Sequence, residues 1–309
     1  MRDFINNEIG NSAFPHKRFR RLMQKLEGQD FFVNPYDQSA TFSAAQTFTS
    51  KRGNCVAYTN LFIALAREAS LDARYQKVHV PPKWELSSGL LLRVNHINVH
   101  VAGVRLPGAG SDELSVDFNS VVPAEGVATE IISDAHAESM FYANLSIDHL
   151  HEGDYEQAFA YLKRAVLTAP DNPDVWTNLG ALYSILDHDA YAEQAYRVAR
   201  SIDGKDPAAM AGLAKALRNQ GREAEAEIFT AMVSRYQSAN PYYHFAKAEQ
   251  AFSVGAYDTA LESINRAIKL KRRSPEFYAL RAATAQQLGN ARLHAKSIRL
   301  QHRFSKEDS

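Results

Sequence analysis

The chain has 309 residues, which is enough for two domains of ordinary size. Hydrophobic residues make up 45% of the sequence and charged residues 23%, the usual composition of a globular protein. This composition excludes collagen-like and intrinsically disordered chains. The 35 basic and 35 acidic residues give a formal net charge of zero, so we expect no nucleic-acid partner recruited by bulk charge.

The sequence holds one cysteine, Cys55. A single cysteine can form neither an internal disulfide nor a cysteine-rich zinc module, and we expect no metal and no cofactor. No stretch approaches the ~20 apolar residues of a transmembrane helix, and the residues after Met1 lack the pattern of a signal peptide. We therefore expect a cytoplasmic protein from the chain as it stands, or a periplasmic or exported one if a leader was removed.

The segment around Cys55 predicts the start of a helix. Residues 56–69 contain no Gly or Pro, and their apolar residues recur at helical spacing. Asn54 can cap this helix, and Gly53 allows a sharp entry into it. Cys55 then lies in the first turn, where the helix dipole and free backbone N–H groups stabilise a thiolate. This position favours a nucleophilic cysteine over an inert core residue.

Two strands are predicted downstream, and each carries a candidate partner for Cys55. The first spans Arg93 to Val101, and the second spans Leu114 to Phe118. Because side chains alternate along a strand, His96 and Asp117 each fall on the polar face of their strand, towards a cleft or solvent. If the strands are adjacent, the two side chains can form a hydrogen-bonded pair. The order along the chain is then nucleophile, base and orienting acid.

Other interpretations of this region stay open. His96 and His100 share one strand face and are spaced to act as metal ligands, although no third ligand is evident. Gln46 lies on a predicted helix upstream of the cysteine and is a candidate polar neighbour of the site. The Pro81-Pro82-Lys83-Trp84 segment predicts a loop beside the cleft, in which the tryptophan lines a substrate groove or covers the core.

These residues resemble the transglutaminase-like superfamily of papain-like cysteine enzymes. The resemblance covers about residues 40–122 and rests on Arg52-Gly53-Asn54-Cys55, on His96 opening a strand and on Val116-Asp117-Phe118. It implies an α+β fold in which Cys55 is the nucleophile, His96 the general base and acid, and Asp117 the orienting residue. It also implies a protein or peptide substrate. The family commonly has an aromatic residue where this chain has Asn98.

The second half of the chain repeats with a period of 34 residues. Four columns of residues share this period: Pro173, Pro207, Pro241 and Pro275; Gly153, Gly221, Gly255 and Gly289, with Asp187 in the skipped slot; Ala158, Ala192, Ala226 and Ala260; and Ala165, Ala199, Val233 and Ala267. Proline suits the first turn of a helix, glycine suits the positive φ that ends one, and small residues let helices pack closely. The period therefore predicts stacked helix–turn–helix units.

This pattern resembles the tetratricopeptide repeat family, most clearly in the Trp176…Leu179-Gly180…Tyr183 motif of the second unit. The resemblance implies an all-α solenoid over residues 139–309, with units starting near 139, 173, 207 and 241 and a degenerate capping unit from 275. Such arrays bind protein or peptide partners. Asn144 and Asn178 fall where repeat asparagines often bond the backbone of a bound peptide; the alternative is repeat consensus without a ligand.

The sequence thus predicts a papain- or transglutaminase-like α+β domain over residues 1–138, followed by a tetratricopeptide-repeat solenoid. The predicted function is that of a cysteine-dependent amide hydrolase or acyl transferase that works through a thioester at Cys55. Its repeats recruit a protein or peptide substrate or partner. The alternative is a non-catalytic interaction scaffold with a degenerate enzyme domain.

Overall fold

The computed structural model describes residues 1–10, 12–29, 31, 40–78, 96–106, 112–118 and 129–307. The described residues form two compact units, one up to Leu186 and one from Asp187 onward. The predicted loop at Trp84 and the predicted start of a strand at Arg93 lie outside the described residues. None of the described helices is both long and apolar enough to cross a bilayer.

The first unit begins with helices that bury one apolar face. Its first helices are α1 (Arg2–Phe4), which continues as a π-helical turn (Ile5–Ile9), then α2 (Pro15–Gly28), α3 (Ala44–Ser50) and α4 (Cys55–Glu68). Leu22 and Leu26 of α2 belong to the same buried cluster as Phe62 and Leu65 of α4. The apolar stripe of α4 therefore fixes the helix that carries Cys55.

A four-stranded antiparallel sheet packs against α4. Its strands are β1 (Asp72–Val78), β2 (His96–Ala102), β3 (Leu114–Val116) and β4 (Thr129–Ile132), in the order β3-β2-β1-β4. Val99 in β2 lies opposite Tyr75 on one side and Val116 on the other. The predicted adjacency of the histidine strand and the acid strand is thus confirmed, but β3 stops at Val116, so Asp117 directly follows its end.

The rest of the described chain is helical. The first unit continues with α5 (Asp134–His151), α6 (Tyr155–Thr168) and α7 (Pro173–Ile185). The second unit contains α8 (Asp189–Ile202), α9 (Pro207–Asn219), α10 (Glu223–Ala239), α11 (Pro241–Ser253), α12 (Tyr257–Leu270), α13 (Pro275–Gln287) and α14 (Ala291–Glu307). The α+β class followed by helical repeats is confirmed, whereas the domain boundary at residue 138 stays a prediction.

The columns of the 34-residue period occupy the positions that their chemistry predicts. Each of the four prolines is the first residue of its helix. The four glycines have φ from +70° to +79°, and Asp187 adopts the same left-handed region with φ +57°. The first alanine column, Ala158, Ala192, Ala226 and Ala260, is 0% exposed in all four repeats. The period therefore marks both where helices end and where they touch.

Candidate active site

Cys55 is the first residue of α4, and the residues before it hold the helix start in place. The side chain of Asn54 caps the helix, because its Oδ1 accepts from the backbone N–H of Ala57 at 3.0 Å. Its Nδ2 donates to Thr41 Oγ1 at 2.9 Å. A Cβ at Gly53 would lie 2.6 Å from the Ala57 Cβ, so this position requires glycine. The predicted helix start is confirmed.

His96 opens β2 and meets Asp117 just beyond β3. The His96 Nε2 donates to Asp117 Oδ2 at 2.6 Å, and the histidine is only 4% exposed. Burial lowers the pKa of His96, but its hydrogen bonds to Asp117 and Cys55 outweigh that effect and raise the pKa to about 9. Because Nε2 is bound to the carboxylate, Nδ1 is the ring nitrogen left for the thiol. The three predicted residues therefore converge on one buried imidazole.

Asn98 is a member of this site that the sequence reasoning missed. Its Nδ2 donates to the same Oδ2 atom of Asp117, at 3.4 Å, and its side chain is almost completely buried. Its Oδ1 is buried and has no hydrogen-bond partner among the described residues. A signal for its place in the site exists in the sequence, because strand alternation puts Asn98 on the same face as His96. The family pattern alone shows Asn98 only as a departure from an aromatic residue.

The side chain of Gln46 forms part of a helix cap, whereas the sequence offered it as a candidate polar neighbour of the site. Its Oε1 accepts from the backbone N–H of Ser43 at 3.0 Å, and together the two residues form the capping box of α3.

A metal site at His96 and His100 would need at least one further ligand. No group of three or more His, Cys, Asp or Glu side chains in the described ranges is arranged to hold a metal ion.

Asn144 and Asn178 lie on α5 and α7, both in the first unit. They occupy the same repeat position, 34 residues apart, and both are half-buried. A half-buried amide on the first helix of a repeat can still offer a donor and an acceptor to a ligand. Their role in peptide binding stays a prediction.

Comparison with known proteins places two families along the sequence. The family model of the transglutaminase-like superfamily matches residues 4–110, and that of the tetratricopeptide repeat matches residues 132–303. No curated protein matches the sequence.

Several solved structures are similar to this chain at low identity. A MamA fragment from Desulfovibrio magneticus RS-1 is 14% identical, with 57% of this chain and 98% of that chain covered and a TM-score of 0.32. PilF from Pseudomonas aeruginosa is 17% identical, with coverages of 56% and 78% and a TM-score of 0.33. YrrB, described as a TPR protein with an unusual peptide-binding site, is 12% identical, with coverages of 54% and 86% and a TM-score of 0.31. Likenesses at these scores carry nothing about function.

The match to the repeat family spans more than half of the sequence. The helix pairs, with their proline starts and left-handed ends, are the architecture that this family requires. The chain therefore belongs to the tetratricopeptide repeat family, and a transglutaminase-like domain precedes its repeats.

Proposed function

We propose that this chain is a cysteine-dependent amide hydrolase or acyl transferase that acts on a protein or peptide through a thioester at Cys55. The observation that carries the proposal is the 2.6 Å hydrogen bond from His96 to Asp117, with Cys55 as the second hydrogen-bonding partner of the same imidazole. The match to the transglutaminase-like superfamily supports the same chemistry.

The first half-reaction forms the thioester. The Cys55 thiolate attacks the carbonyl carbon of the amide, so that a C–S bond forms and the carbonyl electrons move to the oxygen. The backbone N–H of Cys55 stabilises this oxyanion, since N–H groups in the first turn have no partner within the helix. The protonated His96 gives its Nδ1 proton to the amide nitrogen as the C–N bond breaks, and the amine leaves.

The second half-reaction releases the acyl group. Water or an acceptor amine attacks the thioester carbonyl while His96 removes the proton from the attacking atom. The C–S bond breaks, which yields a carboxylic acid or a new amide and returns the thiolate beside a protonated imidazole. Throughout both steps Asp117 accepts from Nε2 and keeps Nδ1 directed at the sulfur, while Asn98 gives that carboxylate a second donor.

The repeats suggest a protein-interaction role. In this proposal they recruit the substrate or a partner protein. Asn144 and Asn178 bond the backbone of an extended peptide segment, because their equivalent positions in successive units give them a spacing that is regular along the array.

The test uses the fact that the chain has one cysteine, so a thiol reagent reports on Cys55 alone. We expect iodoacetamide to label the folded chain at pH 6 at least about tenfold faster than the urea-unfolded chain, since a site that holds a thiolate reacts where an ordinary thiol is protonated. We also expect p-nitrophenyl acetate to form an acyl adduct that intact mass detects and hydroxylamine removes. Cys55→Ala should abolish the adduct.

Two matched histidine variants sharpen this test. His96→Gln should slow acyl-adduct formation at pH 7 by about 100-fold, because it removes the imidazolium that keeps the neighbouring Cys55 ionised. His100→Gln, on the same strand and half-buried, should leave the rate unchanged. Equal rates for both variants, or folded wild-type protein that labels no faster than the unfolded chain, would overturn the proposal.

The alternative function is a non-catalytic scaffold built on a degenerate enzyme domain. Burial favours it, since Cys55 is only 9% exposed and a nucleophile has to meet its substrate. The scaffold predicts that neither histidine variant changes the chemistry of Cys55. The same two measurements therefore decide between the two functions.

A further inference from the structure

Two columns of the 34-residue period change from apolar to polar in the last two repeats. The first column lies on the first helix of each repeat and reads Leu145, Leu179, Leu213, Lys247 and Arg281. The second column lies sixteen residues further along, on the second helix, and reads Tyr161, Ala195, Phe229, Ser263 and Ser297. Leu179 and Leu213 are buried. The last two repeats therefore carry a basic residue and a serine where the earlier repeats carry apolar residues.

Arg281, on α13, is a buried cation that forms no ion pair with a described carboxylate. The residue is 8% exposed, its Nε donates to Ser297 Oγ at 3.0 Å, and its guanidinium lies over the ring of Tyr278. Its Nη2 has no hydrogen-bond partner among the described residues. Burial lowers the pKa of Arg281, because the charged form loses its hydration. An anion nearby would stabilise this charge.

A groove of about 500 Å³ lies between α11 and α12, the two helices of the fourth repeat. Lys247 and Ser263, the polar pair of this repeat, both line it. Arg266 and Lys269 add two more cations to its lining, whereas Glu262 adds the one carboxylate among the described lining residues. None of the three cations forms an ion pair with a described carboxylate. The groove is therefore a basic surface whose charges are available to a ligand.

Asn265, on α12, connects this groove with the buried guanidinium. Its side chain lines the groove, and its Oδ1 accepts from Arg281 Nη1 at 3.4 Å. Because a guanidinium has donors only, the oxygen of the amide has to face Arg281. The Nδ2 group of Asn265 is then left to donate to a ligand in the groove. Arg281 also places a positive charge in the low-dielectric interior, where its field is poorly screened.

We propose that this groove binds an acidic segment of a protein, with Asp or Glu carboxylates that pair with Lys247, Arg266 and Lys269. Charge complementarity favours an anion, and the amide of Asn265 offers a donor to a carboxylate or to a peptide carbonyl. The carboxylate of Glu262 opposes a densely charged polyanion such as a nucleic acid. The proposal deepens the protein-recruiting part of the proposed function and rests on it, but it does not involve Cys55.

The experiment measures the binding of a fluorescein-labelled peptide to the full chain by fluorescence anisotropy. The peptide carries four glutamates among glycines and serines, and both ends are blocked so that no terminal carboxylate contributes. Two counterparts replace the glutamates by glutamines or by phosphoserines. We expect the glutamate peptide to bind at least about tenfold more tightly than the glutamine peptide at low salt. Added salt should weaken this binding, because it screens the charges.

Two variants restore the leucine that earlier repeats have at the same position. Lys247→Leu and Arg281→Leu should each weaken binding of the glutamate peptide by about fivefold and leave the glutamine peptide unaffected, because each removes one positive charge. Both variants should fold, since leucine already occupies this column and Ser297 keeps its bond to Leu293 O. Lys215→Leu, which removes an exposed lysine of α9 outside the groove, is the matched control and should bind as the wild type does.

Equal binding of the glutamate and glutamine peptides would overturn the proposal. Undiminished binding of the glutamate peptide by either leucine variant, or binding of the phosphoserine peptide alone, would overturn it as well. Failure of the proposed function is a separate result, because it is measured on Cys55. Wild-type protein that labels fast at Cys55 but does not bind the glutamate peptide contradicts only the acidic-peptide groove. Wild-type protein that binds this peptide without fast labelling contradicts only the enzymatic activity.

Discussion

The site region and the repeats of the second unit bury different kinds of groups. At the site Asn54, His96 and Asn98 are each less than 5% exposed, and their polar atoms mostly bond one another or a neighbour. In the second unit the contact positions of the period are alanines such as Ala192, Ala226 and Ala260, all fully buried. The packing of the site region depends on particular atoms in particular orientations. The packing of the repeats depends on side-chain size and backbone conformation.

This difference determines how each region responds to substitution. When a buried polar group loses its partner, the fold is destabilised by the full desolvation free energy of that group. This free energy is larger than the net contribution of the hydrogen bond to stability. A single repeat position contributes a small part of the free energy of unfolding, and the equivalent positions of the other repeats contribute similar parts. We therefore expect the largest single effects near the sheet and the smallest at the turns of the repeats.

The largest effect is expected at the ion pair of Lys77, on β1, with Asp174, on α7. Their atoms Nζ and Oδ2 are 2.9 Å apart, and the two side chains are only 10% and 11% exposed. Lys77→Met removes one partner of a buried ion pair and should lower the free energy of unfolding by about 3 kcal/mol, measured by urea denaturation. Arg74→Met is the control on the same strand, since its pair with Asp72 is exposed and its loss should lower the free energy of unfolding much less. Similar losses from both variants would contradict the comparison.

A smaller effect is expected in the pH dependence of stability at His96. Its pKa is raised from 6.5 to about 9 in the folded chain, so its protonated form stabilises the fold fully below pH 6.5. This contribution is lost as the pH rises through 9. The free energy of unfolding of wild-type protein, minus that of His96→Gln, should fall by on the order of 2 kcal/mol between pH 6 and 9.5. A difference that stays constant or grows would show that the imidazole is not held protonated.

The smallest effect is expected at the repeat turns. Gly221 has φ +76° and open space around its Cα, so Gly221→Ala costs only the strain of a left-handed backbone, about 1 kcal/mol. Gly28→Ala is the control, because Gly28 is also surrounded by open space but has no positive φ. Urea denaturation should show a loss only for the first variant, and neither should alter Cys55 labelling. Slower labelling in Gly221→Ala would contradict this expectation.

Local chemistry made the helix that carries Cys55 predictable. Gly53 and Asn54 are adjacent to Cys55 in the sequence, and their roles as tight turn and cap follow from their side chains alone. Alternation along a strand was enough to place His96 and Asn98 on one face of β2, whereas Asp117 lies just beyond the end of β3. The repeats were predictable for a different reason, since a fixed period displays the same packing requirement several times.

The parts that were not predicted involve buried polar groups. In β1, Gln76 and Lys77 are both buried, so the strand shows no clear alternation of apolar and polar residues. Asn98 carries a hydrogen bond that only the register of β2 and β3 brings within reach. Such contacts depend on tertiary structure rather than on any local pattern.

The strand order also separates the members of the proposed triad by how firmly each is anchored. In the described sheet β2 is paired with β1 along its whole length, from His96 opposite Val78 to Ala102 opposite Asp72, whereas β3 is a three-residue edge strand that ends before Asp117. Local opening of a protein starts at short edges and reaches longer paired strands later. His96 is thus held by the longer ladder, and Asp117 follows the strand that frays first. The proposed triad should come apart at Asp117 while His96 is still held in its strand.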